Sequence, residues 1–195
     1  MTLAVLADTL SMMRILLIDL ATAPIDDLRV LLPKVEIKVI TADALPNDTE
    51  GYNGIVVAGT YDGQPFNKDL ASRLVEYGLP LLGIGAGFET ICSQLGMDLS
   101  EVYERGTGAG KLVPTDDGTK LFQGTDPLLV AKNERWLVDE VPRGVQVLAR
   151  SDSGIEAVRH KQRPLTALQQ LPGDFTYASD AKLVYANLFG LFGKI

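Results

Sequence analysis

The chain has 195 residues, a formal net charge of −7 and 46% hydrophobic residues, which suits one soluble globular domain able to bury its own core. Acidic residues outnumber basic ones, 25 to 18, and that argues against a nucleic-acid partner, because phosphate contacts need clustered lysine and arginine. The single cysteine, Cys92, excludes an internal disulfide and a cysteine-based zinc site and suits a reducing cytoplasm.

Residues 1–12 are apolar in part but carry Asp8, lack a basic start and are too short to span a bilayer. They read as an N-terminal extension, with residues 13–195 as the domain and Met13 as an equally good start for it. Residues 15–19 form a short apolar run, as in a parallel strand buried on both faces. Residues 24–32 have helical spacing, with Pro24 near the start and Pro33 as a stop. A β-branched strand follows at residues 35–40, then a polar, turn-rich stretch at 43–52. Residues 54–59, GIVVAG, are a third strand that runs into a glycine turn. A helix over 67–77 is capped by Gly78. Residues 79–84 are the next strand, followed at once by Gly85-Ala86-Gly87 and a helix over 88–95 closed by Gly96. This alternation implies a parallel sheet covered on both sides by helices.

Beyond Gly106 the pattern changes. Residues 111–149 contain short β-rich pieces divided by Gly, Pro and Asp, as in an antiparallel meander, and residues 155–160 and 164–169 form a hairpin at its end. The last helix spans 180–192 with Leu183, Val184, Asn187, Leu188 and Leu191 along one face. No repeat, low-complexity tract or long linker divides the chain, and no stretch approaches the roughly 20 apolar residues of a membrane helix.

Residues 80–96, PLLGIGAGFETICSQLG, resemble the nucleophile elbow of class I glutamine amidotransferases, whose pattern is P-x-L-G-I-C-x-G-x-Q with a closing L-G. Residues 52–60, YNGIVVAGT, are similar to that family's D-G-(I/V)-(I/V)-x-S-G-G strand and oxyanion turn. Residues 141–151 and 154–161 resemble the region after the elbow in the GMP synthetase branch, and residues 182–189 its closing helix. The resemblance runs in one order from Arg14 to the C-terminus. It implies a flavodoxin-like α/β fold with a mostly parallel central sheet flanked by helices and a small antiparallel β region.

It also implies where the chemistry should be. The family needs a cysteine at the strand-to-helix turn, where the helix N-terminus favours the thiolate, and that position here is Gly85. The family's base and its orienting acid lie in a (V/I)-Q-F-H-P-E segment. Residues 168–173, LQQLPG, occupy it, with Leu171 in place of histidine and Gly173 in place of glutamate. The glutamine that follows the elbow becomes Glu89, and the second glycine of the oxyanion turn becomes Thr60. Losing a whole triad leaves only what the oxyanion hole supplies, and Thr60 alters that too. The expectation is a catalytically inactive relative that acts as a binding, regulatory or scaffolding subunit. The alternative is an enzyme or small-ligand binder whose chemistry is not cysteine-dependent glutamine hydrolysis.

Other features have simpler explanations. Cys92, within the helix after the elbow, reads as a small buried thiol. His160, the only histidine, belongs to the hairpin, so no metal site is expected. Gly83-x-Gly-x-Gly87 falls one residue short of a dinucleotide fingerprint, and Glu104 is a poor ribose acid, so no cofactor is expected. A vestigial pocket at the open helix N-terminus would be lined by Gly59, Thr60, Gly85, Ala86 and Glu89. Residues 61–64 read as a turn. Trp136 lies where the GMP synthetase branch has an S-H-x-D stretch, with Glu134 beside it, and is the candidate anchor of a protein interface. The expected partner is a protein, a synthetase-type subunit or a second copy of this chain, in the cytoplasm.

Overall fold

The computed structural model of the chain describes residues 13–21, 23–60, 68–101, 107–133, 136–175 and 178–193. The N-terminal extension, the turn at 61–64, Glu104 and Glu134 lie outside them.

Strand β1, Arg14–Asp19, shows why the sheet is double-sided. Ile15 and Leu17 point into one apolar cluster and Leu16 and Ile18 into another, and all four are at most 1% exposed. A run without polar alternation is what a strand covered on both faces requires. Strand β3, Gly54–Gly59, is buried throughout for the same reason, and strand β4, Leu81–Gly85, lies beside it. Strand β2, Glu36–Thr41, is the edge of the sheet and alternates exposed and half-buried residues.

Helix α1, Ile25–Leu31, links β1 to β2. Pro24 sits at its N-cap position, Asp26 and Asp27 lie in the first turn, and Leu28 is its fully buried residue. Burying that leucine contributes about 2 kcal/mol, and the acids favour the positive end of the helix dipole. Helix α2, Lys68–Glu76, links β3 to β4 and stops before Gly78, whose φ of +69° suits a glycine at a helix end. Helix α3, Ala86–Gln94, follows β4 with no intervening loop. The strand order β2-β1-β3-β4 places a topological switch between β1 and β3, where open α/β sheets form a crevice beyond their carboxyl ends.

The chain then builds β5 (Ser100–Glu101), β6 (Thr107–Pro114), β7 (Leu128–Asn133), β8 (Trp136–Leu137), β9 (Val145–Ser151), β10 (Gly154–His160) and β11 (Leu165–Leu168). The hairpin read at residues 155–169 is β10–β11, and β11 pairs parallel with β4. Through it the antiparallel strands continue the same sheet, in the order β4-β11-β10-β9-β6-β7, while β5 and β8 form a separate two-stranded ribbon. The mostly parallel sheet with an antiparallel region is therefore as the sequence implied.

Two details differ. The expected meander is interrupted by a 3-10 turn, Asp116–Gly118, and helix α4, Thr119–Phe122. This segment folds inward because Leu121 and Phe122 are 8% and 4% exposed, and the turn lies so close to β9 that a β-carbon on Gly118 would be 1.8 Å from the Leu148 carbonyl oxygen. The buried face of the last helix, α5, Ala178–Phe189, is also rotated from the expected stripe. Ala181, Val184, Tyr185, Leu188 and Phe189 are buried, whereas Leu183, Asn187 and Leu191 are only half-buried. Aromatic packing decides the rotation, with Phe189 against Phe192 at 5.4 Å and Tyr185 against Phe175 at 6.3 Å. Asn187 turns instead to donate to the Leu121 carbonyl at 2.7 Å.

Candidate functional site

The elbow forms where β4 passes directly into α3. Gly85 is the last residue of the strand and the N-cap of the helix, with φ +59° and ψ −118°, a conformation that costs side-chain-bearing residues energy. The turn is held by close packing on either side. A β-carbon on Gly83 would lie 2.3 Å from the Gly87 carbonyl oxygen, and one on Gly87 would lie 1.8 Å from the Val57 carbonyl oxygen. These two glycines let α3 lie directly on β3 and β4. The spacing that suggested a nucleotide fingerprint is thus explained by packing.

Around Gly85 the carboxyl ends of the parallel strands converge. Asp19, at the end of β1, accepts from the backbone N–H groups of Ala21 and Ala23 at 3.0 Å each. The Thr60 N–H donates to the Ala21 carbonyl at 2.9 Å, fixing the oxyanion turn against the β1 loop. Gly59 is register-paired with Gly85. A β-carbon on Gly85 would stand 2.5 Å from the Gly59 carbonyl oxygen and 2.8 Å from Leu171 Cδ2. The space where a nucleophile would begin is filled by a backbone oxygen and a leucine methyl.

Leu171 comes from the strap that follows β11. The three positions that the resemblance assigns to the triad therefore behave differently. Gly85 and Leu171 are brought into contact, whereas Gly173 lies exposed in the 3-10 turn Pro172–Asp174, with Asp27 of α1 beside it. A polar frame pins the strap. Gln169 N–H donates to the Glu156 carbonyl at 2.9 Å, Tyr185 Oη–H donates to the Gln170 carbonyl at 2.7 Å, and Leu171 N–H donates to Asp174 Oδ2 at 2.7 Å. Gln170 Nε2 and Ser151 Oγ both donate to the Glu156 carboxylate, which is 1% exposed. Burial raises the Asp174 carboxyl above its ordinary value, with Asp27 adding to the effect and the Leu171 N–H opposing it. Burial likewise pushes the Tyr185 hydroxyl well up, with Asp174 and then Asp27 contributing.

The sequence reading missed this frame. Its visible signals were a glutamate inside the apolar run of β10 and Gln170 in the position where the family's Q-F-H pattern has phenylalanine.

The remaining candidates separate in space. Ala86 and Glu89 are in the first turn of α3, Ala86 half-buried and Glu89 6% exposed. Cys92, one turn further on, is fully buried in the apolar cluster, where burial, and secondarily Glu89, raises its thiol pKa well above the usual range. His160 lies at the β10–β11 turn, the end of the sheet opposite Gly85, where its Nδ1 accepts from the N–H groups of Gln162 and Arg163 at 3.1 and 2.9 Å. Trp136 is half-buried in β8, and its carbonyl accepts from Gln169 Nε2 at 3.1 Å, which ties β8 to the strap. Among the described residues no cluster of His, Cys, Asp or Glu has the arrangement of a metal site, and no helix is long and apolar enough to cross a membrane.

Comparison with known proteins agrees with this architecture. GMP synthase [glutamine-hydrolyzing] of Latilactobacillus sakei is 28% identical over 147 residues, covering 67% of this chain and 27% of that protein. The corresponding enzyme of Desulfotalea psychrophila is 29% identical over 148 residues, covering 71% of this chain and 28% of its own length. The chain thus spans little more than a quarter of these relatives. Among solved structures, a GMP synthase subunit protein from Thermoplasma acidophilum superposes with a TM-score of 0.76 at 21% identity, covering 93% of this chain and 94% of that one. PurLQS from Thermotoga maritima gives 0.70 at 16% identity, over 91% and 97% of the two chains. These likenesses establish the flavodoxin-like fold. The family model for glutamine amidotransferase class-I matches residues 23–176, and the chain belongs to that family.

Proposed function

We propose that this chain is a catalytically inactive class I glutamine amidotransferase domain that works by binding another protein as a regulatory or scaffolding subunit. The observation that carries the reading is the filled elbow: Gly85 offers no side chain, and the Gly59 carbonyl and Leu171 occupy the room one would need. Family chemistry requires a cysteine thiolate with a histidine close enough to move its proton. The chain's only cysteine is enclosed in the core and its only histidine is at the opposite end of the sheet, so this reading does not depend on how residues 168–173 are matched to the family pattern. The relatives include a glutamine-hydrolysing GMP synthase of which this chain matches little more than a quarter, and a domain that keeps the docking fold without the triad would engage a synthetase-type subunit or a second copy of itself.

Two measurements test it together. The purified protein should release no ammonia from glutamine above background, and a glutamine-like chloroketone should label neither the elbow nor Cys92. Sedimentation, alone and with a candidate synthetase subunit, should then show self-association or a complex. Glutamine-protected labelling at Cys92, or turnover of glutamine, would overturn the inactive reading. A strictly monomeric protein that binds no synthetase subunit would overturn the binding role.

A further inference from the structure

The end of the molecule away from the elbow carries a cleft of about 350 Å³ between the Asp116–Gly118 turn, α4, strands β9 and β10, and the end of α5. That is the lower end of the range for small-molecule sites. Its floor is apolar, formed by Leu121 and Leu148, with Leu191 at the side. Its charged groups are of both signs. Arg159 projects from β10, half-buried, with one guanidinium nitrogen held by Gln146 Oε1 at 2.9 Å and no carboxylate partner among the described residues. Asp116 and Asp117 stand at the rim with exposed carboxylates, and Lys120 beside them is also exposed. The two ion pairs found among the described residues, Arg14–Glu36 and Arg29–Asp26, involve none of these four groups.

The charge pattern selects the ligand. A phosphate or dicarboxylate would be drawn to Arg159 and Lys120 but repelled by two neighbouring carboxylates, and a diamine would meet the opposite conflict. One small molecule with both charges can set its carboxylate on Arg159 and its ammonium on the Asp116 and Asp117 pair, whose two charges exceed that of Lys120 beside them. The end of α5 adds to the preference for a cation near Gly190 and Leu191, because a helix C-terminus carries partial negative charge. A planar guanidinium already oriented by a hydrogen bond is suited to a carboxylate. The leucine floor calls for an aliphatic group between the two charged ends.

We propose that this cleft binds a zwitterionic α-amino acid with an aliphatic side chain, its carboxylate on Arg159, its ammonium toward Asp116 and Asp117, and its side chain on Leu121 and Leu148. The site is separate from the elbow.

Calorimetric titration of the full chain with L-leucine tests it, alongside leucinamide, which lacks the carboxylate, and 4-methylpentanoate, which lacks the amine. L-leucine should bind saturably, and both analogues should bind at least about tenfold more weakly, as expected for losing a hydrogen-bonded charged contact. Arg159→Gln, which can keep the contact with Gln146, should weaken L-leucine by a similar factor. So should Asp117→Asn, a surface change that leaves the fold intact. No saturable heat with L-leucine would overturn the proposal. Equal binding of the three ligands, or binding unchanged in both variants, would overturn it as well.

Discussion

The turn between β4 and α3 and the strap after β11 meet over Gly85, but different forces hold them. The turn is fixed by backbone contact, with Gly83 and Gly87 allowing α3 onto the sheet and Gly85 bending the chain at positive φ. The strap is held by hydrogen bonds to Glu156, Tyr185 and Asp174, and it meets the turn with an apolar side chain, Leu171. Packing at the turn constrains the fold whatever chemistry is carried there. The strap tolerates new side chains as long as its polar frame closes.

The largest expected effect is at the turn. Gly87→Ala places a methyl group 1.8 Å from the Val57 carbonyl oxygen, and α3 cannot move aside without opening the apolar cluster that holds Phe88, Ile91 and Cys92. Such overpacking should cost about 3 kcal/mol in urea unfolding. A loss within about 0.5 kcal/mol would mean that α3 is not held rigidly on the sheet, and the contrast with the strap would fail.

Gly85→Cys comes next. The positive φ and the contact with the Gly59 oxygen both oppose it, so unfolding free energy should fall by about 2 kcal/mol. No glutamine hydrolysis should appear, since no histidine stands near to accept the thiol proton. Adding Leu171→His and Gly173→Glu should give weak turnover at most. Vigorous hydrolysis by the single variant would show that the base has been misplaced.

Trp136→Ala probes the other side of the strap. The ring is half-buried in a two-residue strand, and the hydrogen bond to Gln169 uses the Trp136 carbonyl rather than its side chain. Folding should therefore survive, while self-association or partner binding weakens by about 1 to 2 kcal/mol in sedimentation. Unchanged association would move the interface away from the elbow end.

The sequence was most legible where one force dominates. The apolar runs of β1 and β3 could only be strands covered on both faces, and Gly78 and Gly96 marked helix ends through a backbone property that needs no partner. The elbow was half legible: the sequence places Gly85, which has no side chain, at the turn, but not Leu171 against it, because that contact joins residues 86 positions apart. The face of α5 was misjudged because several apolar stripes fit its spacing, and long-range contacts from Tyr185 and Asn187 chose among them. The frame around Glu156 and the inward turn of α4 depend on such pairings as well.

The smallest expected effect concerns pH and the strap alone. Asp174 caps its own turn by accepting the Leu171 N–H, but burial, with Asp27 nearby, raises its carboxyl above the ordinary value of 3.8. A raised acid binds its proton more tightly in the folded state than in the unfolded chain. Its contribution to stability is therefore complete below the unfolded value and declines as pH rises through the folded one. The groups facing it are Asp27 of α1 and the Tyr185 hydroxyl of α5, which stays neutral because its own pKa is raised. Asp174→Asn keeps an oxygen to accept the Leu171 N–H and removes the buried charge. Urea unfolding from about pH 4 to pH 7 should show the wild-type chain losing stability relative to the variant as pH rises. The difference should be small, because the carboxyl is only partly buried. At the turn, which has no titratable side chain, Gly87→Ala should show a stability loss independent of pH over the same range. If the Asp174→Asn difference were flat, or grew toward low pH, the strap would not be held by a strained carboxyl, and its polar frame would rest on Glu156 and Tyr185.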